Sequence, residues 1–128
     1  MKKYIIISII AIIIICSALA INYLKKISNY KEKVNNIIIQ EVNLDNKKDG
    51  KYIGEFDADV ISAKVEVEIK NKKISNINII EHKNGRGTPA EVIPKKVVDA
   101  QSLKVDVVSG ATNSSKVILK AIENALSK

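Results

Sequence analysis

Asp106-Val107-Val108-Ser109-Gly110-Ala111-Thr112-Asn113-Ser114-Ser115 gathers hydroxyl groups around one glycine near the C-terminal end of the chain. Residues of these types can hydrogen-bond a phosphate, and a threonine or serine hydroxyl can be esterified to one. They are poorly placed to run a reaction of their own. No Ser–His nucleophile pairing, paired catalytic carboxylates or Cys/His metal spacing occurs in the sequence.

Three elements must position these groups. Leu103 to Val108 is apolar and β-branched enough to be expected as a short strand. Gly110 supplies the bend, where a residue without Cβ lets the backbone turn sharply and lie close to a ligand. Beyond it, Val117, Ile118, Ala121, Ile122, Ala125 and Leu126 recur at helical spacing, with Lys116, Lys120, Glu123 and Asn124 mostly off that stripe. Thr112, Asn113, Ser114 and Ser115 all suit an N-cap, so the helix is expected to begin among them. A helix start directs unpaired N–H groups and the positive end of its dipole outward, a setting for an anion. The same junction also serves as a capped turn that holds nothing.

Asp106-x-x-Ser109-Gly110-Ala111-Thr112 resembles the flavinylation motif of the FMN-binding domain family, which includes flavin-carrying subunits of membrane NADH:quinone and ferredoxin-linked reductases. The resemblance implies that Thr112 is esterified through its hydroxyl to the phosphate of FMN. Asp106, Ser109, Gly110 and Ala111 would be the sequence read by a separate flavin transferase. Ser114 and Ser115, followed by an apolar helix, also resemble the family and join the expected cofactor-binding set. Asp49-Gly50-Lys51-Tyr52-Ile53-Gly54-Glu55 resembles the opening of small FMN-binding domains. In physical terms it is a turn and a short strand whose internal glycine marks a bulge or a close backbone approach.

Between these motifs, Val60 to Lys70 alternates Ala63, Val65, Val67 and Ile69 with Lys64, Glu66, Glu68 and Lys70, the pattern of a half-buried antiparallel strand. Asn71-Lys72-Lys73 turns the chain, and Ile74, Ile77, Ile79 and Ile80 belong to the returning strand of a hairpin. His82, the single histidine, lies at that strand's end before the Gly85-Arg86-Gly87 turn. It reads either as an ordinary polar residue or, with that turn, as facing the flavin ring, and the second reading places His82 in the cofactor set. The glycine order differs from the family's usual loop, because Thr88-Pro89 follows the glycines. Thr88-Pro89-Ala90-Glu91 reads as a capped helix start, and Pro94 as a restart, with Val97, Val98 and Ala100 inward.

Tyr4 to Leu24 is almost uninterrupted Ile, Ala and Leu, long enough to cross about 30 Å of hydrocarbon. It reads as a signal-anchor or as a cleaved signal peptide ending near Ala18-Leu19-Ala20, and its continuation past Ala20 favours the anchor. Cys16 follows Ile15 rather than a small residue, which argues for a buried apolar thiol rather than a lipoprotein signal. The formal charge of +7 is concentrated beside this segment, in Lys2, Lys3, Lys25, Lys26, Lys31 and Lys33 against Glu32. The remainder is close to balanced, so the charge suits anionic headgroups and not nucleic acid. Counting lysines alone would leave the domain on the cytoplasmic side. The resemblance implies an exported one, and we follow it.

The expected organisation is therefore a signal-anchor or signal peptide over 1–24, a juxtamembrane neck over 25–48 and an FMN-binding domain over 49–128. The expected fold is α+β, a small antiparallel sheet packed with helices behind a transmembrane helix. The expected role is a single-pass, extracytoplasmic electron-transfer flavoprotein carrying FMN, with a flavin transferase and a membrane reductase or quinone-linked complex as partners. Non-covalent FMN binding, or a non-redox module for envelope polymers or a protein partner, are the alternatives.

Overall fold

Asn71 and Lys72 both hold positive φ, 51° and 61°, so the central hairpin closes on a tight two-residue turn of the primed kind. That geometry suits the right-handed twist of the strands it joins, and Asn tolerates it without glycine. The structure is a computed structural model and describes residues 1–128. Its sheet has three antiparallel strands in chain order: β1 (Gly50–Asp57), β2 (Ser62–Lys70) and β3 (Lys73–Lys83). The expected α+β class holds, with helices α1 (Lys2–Asn35), α2 (Ile93–Ala100) and α3 (Thr112–Leu126).

The alternation in β2 buries Ala63, Val65, Val67 and Ile69, while Lys64, Glu66 and Glu68 face outward. The register slips twice along β3, between Lys64/Val65 and between Glu68/Ile69. Each slip adds one residue to β3, so Ile74, Ile77 and Ile79 keep facing inward opposite Ile69, Val67 and Val65. Ile80 is left exposed by the same slip. His82 pairs with Ala63 and thereby shares the inner face.

Helix α3 covers that face. Val117, Ile118, Ala121, Ile122, Ala125 and Leu126 are all buried, as their spacing requires, and Leu119 joins them. Gly54 of β1 makes this packing possible. A Cβ there would overlap the Ala121 carbonyl and stand 2.7 Å from the Ala125 Cβ. The opening motif thus contains a close backbone approach, one of the two roles its glycine suggested.

Helix α2 begins at Ile93 with Pro94 in its first turn, and Ile93, Pro94 and Val97 face the core. Val98 is half-buried and Ala100 exposed, so the inward face is shifted by one turn from the expected one. Thr88–Val92 is a 3-10 turn whose cap is Gly87, not Thr88. The expected capping box fails because its acid is engaged elsewhere: the Glu91 carboxylate lies 3.0 Å from His82 Nδ1. Gln101, left-handed at the end of α2, pairs its amide with the Ile74 N–H and C=O, closing the β3 edge.

Helix α1 has an apolar 18-residue stretch of mean hydropathy 3.0 with none of that stretch buried, long and apolar enough to cross a membrane. Cys16 is exposed on it rather than buried. The neck expected over 25–48 does not stand clear of the domain. Val34 enters the core, and Ile37, Ile39, Val42 and Leu44 pack against it. Lys33 pairs with Asp59 at 3.0 Å. The Glu41 carboxylate accepts from Ser102 Oγ, Leu103 N and Lys104 N. The spacing of Ile27, Val34, Ile37, Ile38 and Val42 suits a helix continuing past the apolar segment. Helix α1 does continue to Asn35 and buries Val34, but Ile37 and Val42 lie beyond its end and Ile38 is exposed.

Candidate functional site

Leu103 to Val108 runs into the site as extended chain, not as the expected strand. Its backbone groups are taken by side chains instead of a ladder. Glu41 accepts from Leu103 and Lys104, Lys96 Nζ donates to the Asp106 carbonyl at 3.4 Å, and Ser115 Oγ accepts from Val108 N at 3.0 Å. Gly110 turns the chain at φ 79°, in the left-handed region that glycine occupies readily.

Helix α3 then starts at Thr112, within the expected stretch, but none of its hydroxyl residues caps it. The N-cap is Ala111, with no side-chain hydrogen bond. Ser115, one of the expected caps, sits one turn too deep. Its hydroxyl donates to the Ala111 carbonyl at 2.8 Å while accepting from Val108 N, which stitches the turn shut. The amides of Thr112, Asn113 and Ser114 consequently meet no capping side chain, and the dipole's positive end is open.

A cleft of about 350 Å³ opens on this helix start, lined by Tyr30, Ile61, Arg86, Gly87 and the run from Gly110 to Ser114. Its volume falls in the range of small-molecule sites. Thr112 is exposed at its edge. Ser114 is 1% exposed, and its Oγ has no hydrogen-bond partner although it is fully enclosed. A buried hydroxyl left in that condition costs free energy unless something completes it. Arg86 is the only charged residue lining the cleft, so the lining carries a single positive charge. An uncapped helix start, an unpaired hydroxyl and one cation fit a phosphate-bearing ligand. A larger hollow lies between the end of α1, Phe56, Asp59 and Lys120, away from the hydroxyl run.

The expected site residues divide accordingly. Gly110, Ala111, Thr112 and Ser114 line the cleft. Asp106 and Ser109 are exposed outside it, on the approach and the turn. Ser115 faces into the turn. His82 does not face the cleft: its side chain is 2% exposed beneath the Thr88–Val92 turn, with Nδ1 on Glu91 and Nε2 unpartnered. The register slip at Ile80 accounts for this, because it puts His82, three residues after Ile79, on the same inner face. The loop after it does reach the site, through Arg86 and Gly87. Asn84 Oδ1 shapes that loop by accepting from Gly87 N at 3.0 Å.

Fold and cleft define a small α+β module whose cleft opens on an uncapped helix start. The chain belongs to the FMN-binding domain family, whose pattern matches residues 58–127. Its cofactor is FMN. The match ends one residue short of the C-terminus and contains Arg86, Gly87 and the whole run from Gly110 to Ser114. A stretch of 65 residues is 40% identical to part of NADH:acrylate oxidoreductase from Vibrio harveyi, covering 48% of this chain. The chain spans 6% of the length of that relative.

Three lining residues were missed as site residues in the sequence: Asn113, read there only as a possible cap, Tyr30 and Ile61. Tyr30 and Ile61 lie far from the motif, and only the folding of α1 and of the β1–β2 connection brings them to it.

Proposed function

We propose that this chain is a membrane-tethered, extracytoplasmic FMN-bearing electron carrier, with FMN joined by a phosphoester to the Thr112 hydroxyl. The observation that carries this reading is the placement of Thr112, exposed at the uncapped start of α3, beside the unpaired Ser114 hydroxyl and Arg86. Likeness to part of an NADH:acrylate oxidoreductase supports a redox use over a purely adhesive one. Bound FMN supplies the electron-transfer chemistry; the protein supplies attachment, orientation and electrostatics.

Each residue then has a defined task. The amides of the first α3 turn and the Ser114 hydroxyl hydrogen-bond phosphate oxygens, and Arg86 offsets their charge. Gly110 lets the backbone come close, and Ser115 holds the turn rigid. Asp106 and Ser109, exposed on the same run, are available to a flavin transferase. In the transfer, Thr112 Oγ1 bonds to the FMN phosphorus of FAD, its proton passes to the transferase, and AMP leaves.

Helix α1 supplies the tether. Its apolar surface is exposed along its length and calls for lipid. Confinement to the bilayer raises the carrier's effective concentration near a membrane reductase or quinone-linked partner.

The test is to co-express the chain with a flavin transferase, denature it on a gel and read flavin fluorescence. Fluorescence that survives denaturation and disappears in Thr112→Ala supports the covalent carrier. Yellow protein that loses its flavin on denaturation points to non-covalent FMN. Colourless protein under both conditions removes the reading.

A further inference from the structure

Tyr30 is the one aromatic residue lining the cleft, and it comes from α1, outside residues 58–127. Its hydroxyl accepts a hydrogen bond from Asn113 Nδ2 at 2.8 Å, next to Thr112. The helix that carries it is fixed on the domain one turn later. Lys33 Nζ meets Asp59 Oδ2 at 3.0 Å, and Val34 is 1% exposed within the core. Tyr30 itself is half-buried and packs against that core. Its phenol is therefore held at one end by Asn113 and along its ring by apolar neighbours.

Most of the other lining residues suit the phosphate end of a ligand: open amides, a hydroxyl, one guanidinium and glycine backbone, beside the small aliphatic side chains of Ile61 and Ala111. None of them offers a flat apolar surface. A planar ring system needs such a surface, and aromatic side chains meet it through offset stacking or edge contacts. We infer that Tyr30 is the aromatic wall of the flavin site, so that the membrane-exit turn of α1 is part of the cofactor site and not only its tether. This rests on the FMN reading given above and adds a residue to it.

Tyr30 lies six residues beyond Leu24, about 9 Å along a helix at 1.5 Å per residue. A ring resting on it is held close to the level at which α1 leaves its apolar stretch.

Two measurements on the full chain test this. In the first, flavin-loaded wild type, Tyr30→Phe and Tyr30→Leu are compared by flavin fluorescence lifetime and iodide quenching. Loss of one stacking contact shifts the ratio of open to stacked ring by about 2- to 10-fold. Tyr30→Leu is therefore expected to brighten the flavin and open it to iodide, while Tyr30→Phe brightens it, since phenylalanine cannot quench by electron transfer, but keeps it as shielded from iodide as wild type. In the second, wild type with and without flavin is nitrated and its tyrosines mapped by mass. Tyr30 is expected to be protected by loading and Tyr4 to be unaffected, a readout that does not depend on any variant folding. Equal lifetimes and quenching in all three loaded proteins, or equal nitration of Tyr30 with and without flavin, overturn the inference while leaving the FMN reading intact. Wild type that takes up no flavin removes both.

Discussion

Gly87 and Ser114 meet so closely that a methyl on Gly87 would overlap the Ser114 hydroxyl and stand 2.6 Å from its Cβ. The loop after β3 and the first turn of α3 are thus fitted to each other at the floor of the cleft. Gly87→Ala is expected to destabilise the chain by about 1–3 kcal/mol, the range for overpacking a buried contact, and to lower flavin content. Adding Ser114→Gly relieves the overlap, so the double variant should be less unstable than the sum of the two singles. Thermal melting and flavin-to-protein absorbance ratios check both statements. Additive losses would mean the two residues are not in contact.

Gly54 poses the same problem against backbone, where nothing can rotate away. Gly54→Ala forces β1 away from α3 at Ala121 and Ala125, and is expected to cost about 3 kcal/mol. Chemical denaturation measures it, and a loss below about 1 kcal/mol contradicts the packing described.

Glu41 ties the segment after α1 to the approach of the motif through Ser102, Leu103 and Lys104. Glu41→Ala is expected to lower stability by about 1–2 kcal/mol, since the carboxylate is exposed although it gathers three donors. Hydrogen exchange at the Leu103 and Lys104 amides should accelerate in the variant. Unchanged exchange at both would show that Glu41 does not hold them.

The outer face of the sheet carries the pH dependence. A hydrogen bond from Lys70 holds the Glu68 carboxyl below its ordinary 4.5. A lowered folded-state value means the contribution is complete above pH 4.5 and is lost as pH falls through that lowered value. Lys51 runs the other way. Its hydrogen bond to Glu66 raises it above 10.5, so its contribution is present below 10.5 and disappears as pH rises through the raised value. Lys51 is exposed and Glu68 only half-buried at the surface, so the effects are small. Glu68→Gln should melt below wild type at pH 7 and match it at about pH 2. A difference that persists in acid assigns the effect to packing.

The sheet and α3 were legible because they follow fixed periods: two in Val60 to Lys70, and that of a helix from Val117 to Leu126. The family likewise could be read from Asp106 to Thr112, where spacing in the chain is spacing in the site. What escaped has no period. The slip at Ile80 put His82 on the face of Ile77 and Ile79, and nothing in the alternation of the isoleucines marks where an extra residue is tolerated. The strand expected over Leu103 to Val108 does not form, although the segment is rich in β-branched residues. Its hydrogen bonds go to Glu41 and Ser115, distant side chains that propensity does not see. Tyr30 was hidden for a similar reason, as one tyrosine in a polar stretch that gains a partner only when α1 lies against Asn113.

Helix α1 runs from Lys2 to Asn35 without a break and then inserts Val34 into the core. With no hinge in that span, a head tethered as proposed could not swivel freely on its stalk, and its tilt would follow the stalk's own lean in the lipid. A stiff mast fixes which azimuth of the head points along the bilayer plane. Docking of such a tethered carrier would be a search over lateral position and spin about one axis, and a glycine pair in place of Ser28-Asn29 would return the lost rotational freedom.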